Sequence, residues 1–193
     1  MGDEVRSLEE RVIGLFEAIH PLDRIARAGY VLRGVPEPES VSAHSHFVSL
    51  MTLLYVDTFP DQFDGHKALT MAIVHDLCEA RLMDIPMPAA DAHYREVKDA
   101  AERNVTRELF DGFPESYLRA LNEFREASTP EARLVRGLDK AQMMIKIVMY
   151  EREHRGRLAE FWNNPKNFAD FGIECVSDLF DAICREAGKE RPR

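Results

Sequence analysis

The chain has 193 residues, 45% of them hydrophobic and 31% charged, and its 34 acidic against 25 basic side chains leave a net charge of −9. A chain of this length buries about two-thirds of its unfolded surface, so neither disulfides nor a structural metal is needed to fold it. The acidic balance excludes a broad nucleic-acid footprint, which needs clustered Lys and Arg. It does not exclude a small phosphate ester, because local arginines outweigh distant charge screened over about 8 Å.

The three cysteines, Cys78, Cys175 and Cys184, form no C-x-x-C pair, which points to a reducing compartment. The start, Met1-Gly2-Asp3-Glu4, carries acids where a secretory peptide would be basic and then apolar, and Arg6 stands where a myristoylation signal needs Ser or Thr. The expected location is the cytoplasm. The longest stretch free of charged residues, Ser40 to Val56, contains two histidines and falls short of the roughly 20 apolar residues of a membrane span, so no membrane partner is expected.

Prolines punctuate the chain, since each locks its own backbone and disfavours helix in the residue before it. The first predicted helix, Val5 to Ile19, carries Leu8, Val12, Leu15, Phe16 and Ile19 on one stripe. A loop with Pro21, Gly29, Gly34, Pro36 and Pro38 follows. The helix Glu39 to Asp57 repeats Val41, Val48, Met51 and Tyr55 at helical spacing, and His44 falls on that stripe. The next helix runs from Lys67 to Leu82 and ends in an irregular Asp84-Ile85-Pro86-Met87-Pro88. Helices are predicted at Ala92 to Phe110 and Pro114 to Ala127. A long helix opens at Ser128-Thr129-Pro130-Glu131, where a hydroxyl cap, a first-turn proline and an early acid coincide; Leu134, Leu138, Ala141, Ile145 and Val148 form its core stripe. The last helix, Gly172 to Ala187, turns Ile173, Val176, Leu179, Phe180 and Ile183 inward. The fold class is all-α, a compact single-domain bundle of about six or seven helices.

In such a bundle the informative residues are titratable ones on apolar faces, because burying them is costly unless they are paired or metal-bound. His44 lies on a core stripe; His75 and Asp76 interrupt the apolar run Ala72-Ile73-Val74-His75-Asp76-Leu77; Asp139 follows the core residue Leu138. Two imidazoles and two carboxylates suit one divalent metal of intermediate hardness, namely manganese, cobalt, iron, nickel or zinc, with positions left for water. Glu79 lies four residues after His75 and three after Asp76, on the same predicted helix surface. His46 is roughly 200° around its helix from His44 and points away. His20, His66, His93 and His154 border loops and read as bystanders.

Together, Glu39-Ser40-Val41-Ser42-Ala43-His44-Ser45, then Ala72-Ile73-Val74-His75-Asp76-Leu77-Cys78-Glu79-Ala80 with Asp84-Ile85-Pro86, then Leu138-Asp139-Lys140, resemble the H…HD…D signature of the HD-domain metal-dependent phosphohydrolases, nearest to the small 5′-deoxynucleotidase branch. The likeness extends from about Leu22 to Phe171 within one HD-type domain over residues 1–193, and includes Arg27-Ala28-Gly29-Tyr30-Val31-Leu32-Arg33 and Glu160-Phe161-Trp162. The resemblance implies that His44, His75, Asp76 and Asp139 bind one catalytic metal, with magnesium also admitted. It implies that Glu79 is the acid/base carboxylate and that Asp84 places the sugar or the attacking water. Arg27 and Tyr30 match nucleotide-contacting positions, where the branch more often has Trp in place of Tyr30; Glu123 resembles a further acidic position. Arg33 joins Arg27 as a candidate phosphate clamp. Ala43 and Gln142 depart from the acids common at those positions.

The activity expected is hydrolysis of deoxynucleoside 5′-monophosphates to deoxynucleoside and phosphate by a cytoplasmic homodimer, with a small-molecule nucleotide rather than a nucleic acid as partner. Two alternatives stand beside it. One is triphosphate release from a deoxynucleoside triphosphate, and the other a metal- or nucleotide-binding module without turnover.

Overall fold

The computed structural model describes residues 6–86 and 95–192. Among them are seven helices of ten or more residues and no strand; a lone bridge pairs Ala26 with Ser40. The predicted all-α class is what the chain adopts. No helix among the described residues is long and apolar enough to cross a membrane.

Helix α1 (Leu8–Ile19) opens with a reciprocal cap in which the Ser7 hydroxyl accepts from the Glu10 amide while the Glu10 carboxylate accepts from the Ser7 amide. Its apolar stripe is not buried as expected. Leu15 and Ile19 pack inward, but Leu8, Val12 and Phe16 are half or more exposed, because α1 lies at the bundle's edge and meets mainly the 3₁₀ turn His20–Asp23 and a short later helix. The expected loop contains that turn and a short helix, α2 (Ala28–Val31).

Helix α3 (Val41–Thr58) is capped by Ser40, whose hydroxyl accepts from the Ala43 amide, and buries Val41, His44, Val48, Thr52 and Val56. Helix α4 (Gly65–Val74) is capped by Asp64. The single helix expected over 67–82 is in fact broken. The His75 side chain turns back on the Ala72 carbonyl through Nδ1 at 2.8 Å, competing for the acceptor that a regular helix offers to the Asp76 amide. The chain then tightens into i→i+3 bonds from Leu77 to Val74 and from Glu79 to Asp76, before α5 (Glu79–Leu82) resumes.

Helix α6 is Arg95–Leu109; the expected start at Ala92, with His93, Met87 and Pro88, lies outside the described residues. Helix α7 is Ser116–Glu126 and α8 is Pro130–Arg152, with Thr129 as the cap and Pro130 in the first turn, as read from the sequence. Helix α8 is the spine: it packs on α3, α4, α7 and the last helix, and buries Leu134, Leu138, Ala141, Met144 and Ile147 completely. Short α9 (Ala159–Trp162) and a 3₁₀ turn at Pro165–Phe168 precede α10 (Glu174–Ala187). Gly137 lets α10 come close: a Cβ there would lie 2.7 Å from the Val176 side chain.

Candidate metal centre and active-site cavity

Three helical segments converge on one buried point. His44 comes from α3, His75 and Asp76 from the break after α4, and Asp139 from α8. Donor atoms of His44, His75 and Asp76 all lie within 4.8 Å of one another. His44 Nε2 is 3.0 Å from Asp139 Oδ1 and 3.7 Å from Asp76 Oδ2, while His75 Nε2 is 3.2 Å from Asp76 Oδ2.

The outer nitrogens fix the inner ones. His44 Nδ1 lies 2.7 Å from Gln142 Oε1, and His75 Nδ1 lies 2.8 Å from the Ala72 carbonyl. Both partners are acceptors, so both Nδ1 atoms carry the proton and both Nε2 atoms present lone pairs inward. Each Nε2 is buried without a hydrogen-bond partner, facing carboxylate oxygens. Lone pair against carboxylate is repulsive unless a cation lies between them, so the donor set fits a divalent cation of the imidazole–carboxylate class. In the metal-free protein a proton fills that role: burial lowers the His75 pKa, but Asp76 outweighs it and raises it to about 9. Burial likewise opposes ionisation of Asp76 and Asp139. His75 and Arg27 nonetheless hold Asp76, and Lys140 and His44 hold Asp139, well below the usual carboxylate range.

Around this point opens a cavity of about 680 Å³, lined by His75, Asp76, Glu79, Asp84 and Asp139. Glu79 is 7% exposed and its Oε2 has no hydrogen-bond partner. Burial, then Asp76 and Asp84, raise its pKa well above the ordinary value, against Arg27 and Lys98. Asp84 is carried back to the site by Met83, whose φ of 67° and ψ of 163° lie in a region that favours glycine. That elbow is held because Asp84 Oδ2 accepts from the Ala28 amide at 2.6 Å, capping α2.

The expected nucleotide-binding residues are placed differently from one another. The Arg27 guanidinium lies 3.6 Å from Asp76 and 3.5 Å from Asp84, and the four surrounding acids raise its pKa despite burial. Arg33 also borders the cavity and pairs with Glu160 at 2.5 Å. Tyr30 lines the cavity but is 2% exposed, with its hydroxyl donating to the Met143 carbonyl. Glu123 is not among the lining residues; it pairs with Lys67 at 2.7 Å and accepts from Thr129. His46, His20, His66 and His154 are exposed.

Sequence reasoning missed the opposite wall. Arg95 and Lys98 from α6, Arg125 from α7 and Arg136 from α8 face the same cavity together with the acids Asp99 and Glu102, of which Glu102 pairs with Lys98 and lies 3.7 Å from Arg125, and Phe124, Phe161 and Phe171 add aromatic surfaces. Arg136 stacks over Phe171 at 4.9 Å and Phe124 at 5.9 Å. Only the polar face of α6 hinted at such a wall.

The HD domain family model matches residues 19–169. The chain is 33% identical to the 5'-deoxynucleotidase HDDC2 of Danio rerio over 159 residues, which are 79% of this chain and 77% of that protein. It is 31% identical to the 5'-deoxynucleotidase HDDC2 of Homo sapiens over 169 residues, 84% of this chain and 78% of that protein. The crystal structure of the PH0347 protein from Pyrococcus horikoshii OT3 superposes with a TM-score of 0.74 at 36% identity, covering 91% of this chain and 98% of that one. The chain therefore belongs to the HD domain family.

Proposed function

We propose that the protein is a metal-dependent 5′-deoxynucleotidase that hydrolyses deoxynucleoside 5′-monophosphates to deoxynucleoside and phosphate. The observation that carries this reading is the pair of inward, unpartnered imidazole nitrogens facing two carboxylates in a cavity that several arginines and lysines also line. The names of the Danio rerio and Homo sapiens relatives support the substrate class.

His44, His75, Asp76 and Asp139 hold the cation, which when bound polarises a phosphoryl oxygen and lowers the pKa of a water. Glu79, with its proton held by burial and by neighbouring acids, donates it to the leaving 5′ oxygen. Arg27 keeps Asp76 and Asp84 in register, and Asp84 in turn anchors the edge of the cavity where the sugar sits. Arg33 and Lys140 offset the charge that spreads over the phosphoryl oxygens. Phe161 offers an apolar face for the base.

The whole chain acts as one HD-type unit in the cytoplasm, which its three unpaired thiols suit. It works as a homodimer through the outward face of α3, where Phe47, Leu50 and Leu54 are 43%, 43% and 57% exposed. The test compares the products from deoxynucleoside mono- and triphosphates. Orthophosphate from the monophosphate supports the reading; triphosphate release makes the protein a triphosphohydrolase; no product with any cation makes it a binding module.

A further inference from the structure

Behind His44, away from the cavity, runs a buried polar chain that none of the residues read as ligands or catalysts accounts for. Gln142 is 4% exposed and Glu39 8%, and both sit against the fully buried His44. Gln142 Oε1 meets His44 Nδ1 at 2.7 Å, while Gln142 Nε2 lies 3.1 and 3.3 Å from the two Glu39 carboxylate oxygens. Glu39 is held from two further sides: Lys146 Nζ lies 3.6 Å from Oε2, and the Glu39 amide donates to the Tyr150 hydroxyl at 2.8 Å.

The direction of this chain follows from what each group can do. A carboxylate only accepts, so Glu39 demands the NH₂ end of the Gln142 amide. The carbonyl end is thereby turned to His44, and a carbonyl only accepts, so His44 must carry its proton on Nδ1. Nε2 is left as a lone pair aimed at Asp139 and Asp76.

We propose that Gln142 is a positioning residue that sets the tautomer and ring orientation of His44 for the cation, and that Glu39, steadied by Lys146, sets the orientation of Gln142. The proposal rests on the metal reading of the site. Outer partners of this kind are worth about 10–100-fold in metal affinity. Gln142→Leu keeps the volume and removes both hydrogen bonds. The exchange Glu39→Gln with Gln142→Glu keeps the charge count and the donor–acceptor matches between His44, residue 142 and residue 39, since a carboxylate at 142 accepts from both His44 and the new amide at 39, whose oxygen is left to face Lys146.

The test is the dissociation constant for Mn²⁺ and Zn²⁺, measured by chelator competition without substrate, together with the histidine tautomer pattern by ¹⁵N-resolved NMR on the zinc-loaded protein. Gln142→Leu is expected to bind about 10–100-fold more weakly and to lose the fixed Nδ1–H signal of His44. The exchange variant is expected to bind within about threefold of the parent and keep that signal. If Gln142→Leu does not fold, Gln142→Met takes its place. Binding by Gln142→Leu within twofold of the parent, while His44→Ala has lost the metal, overturns the proposal; so does an exchange variant as weak as Gln142→Leu. Undiminished binding by His44→Ala instead overturns the metal reading itself.

Discussion

Arg27 and Asp84, separated in sequence by the four helices α2 to α5, are locked together beside the candidate metal centre: the guanidinium lies 3.5 Å from Asp84 Oδ1 while Asp84 Oδ2 caps the helix that begins one residue after Arg27. The same guanidinium reaches Asp76 at 3.6 Å, so one cation ties a proposed ligand to the cavity's edge. Removing the guanidinium leaves Asp84 with the Ala28 amide and Asp76 with His75, and takes from both carboxylates the positive charge that they share. Arg27→Met should destabilise the metal-free protein by about 3 kcal/mol. Asp84→Asn should cost less, and the double variant less than the sum of the two, since the groups are in contact. Urea titrations of the four proteins measure the coupling; strict additivity would contradict it.

Glu79 and His75 should separate chemistry from metal binding. Glu79→Ala should lower turnover by about 10² to 10⁴ while keeping its metal, whereas His75→Ala should lose both. Metal content per chain and initial rates on the same preparations check this. Full activity in the Glu79 variant would remove its acid/base role.

The pH dependence of metal binding follows from His75. Its metal-free pKa is raised to about 9, so at pH 7.5 the imidazole is protonated and must release that proton when a cation binds. Apparent affinity should therefore rise about tenfold per pH unit for this one proton, and flatten above pH 9. Calorimetry in buffers of different ionisation enthalpy counts the protons released; affinity independent of pH between 6.5 and 8.5 would contradict the assignment.

Two glycines should respond to alanine with opposite signs. At Gly137 a Cβ meets Val176 at 2.7 Å, and overpacking of about 1–3 kcal/mol outweighs the roughly 1 kcal/mol of helix propensity gained. At Gly14, on α1, nothing lies within 4 Å, so only the gain remains. Thermal melts should show Gly137→Ala falling by about 2–4 °C and Gly14→Ala rising by a similar amount.

What was legible in the sequence, and what was not, divides along physical lines. His44 was visible because burial of α3 follows the 3.6-residue period and the histidine sits on it. The cap of α8 was visible because Thr129 and Pro130 act within their own turn. The break at His75 was hidden, since a side chain competing for the Ala72 carbonyl leaves no periodic trace. The stripe on α1 announced an amphipathic helix but not whether a neighbour covers it, and Leu8, Val12 and Phe16 stay exposed. The wall formed by Lys98, Arg125 and Arg136 exists only once α6, α7 and α8 are packed, and the pairing of Glu39 with Gln142 across 103 positions only once the start of α3 meets α8.

The central claim is tested most directly by stripping the protein of metal and following orthophosphate release from a deoxynucleoside 5′-monophosphate as manganese, cobalt, magnesium or zinc is returned. The stripped protein should be inactive, and at least one transition metal should restore release with a stoichiometry of one ion per chain, an effect lost in His44→Ala and Asp139→Ala. Undiminished release from the stripped protein, or full restoration in those variants, would contradict it.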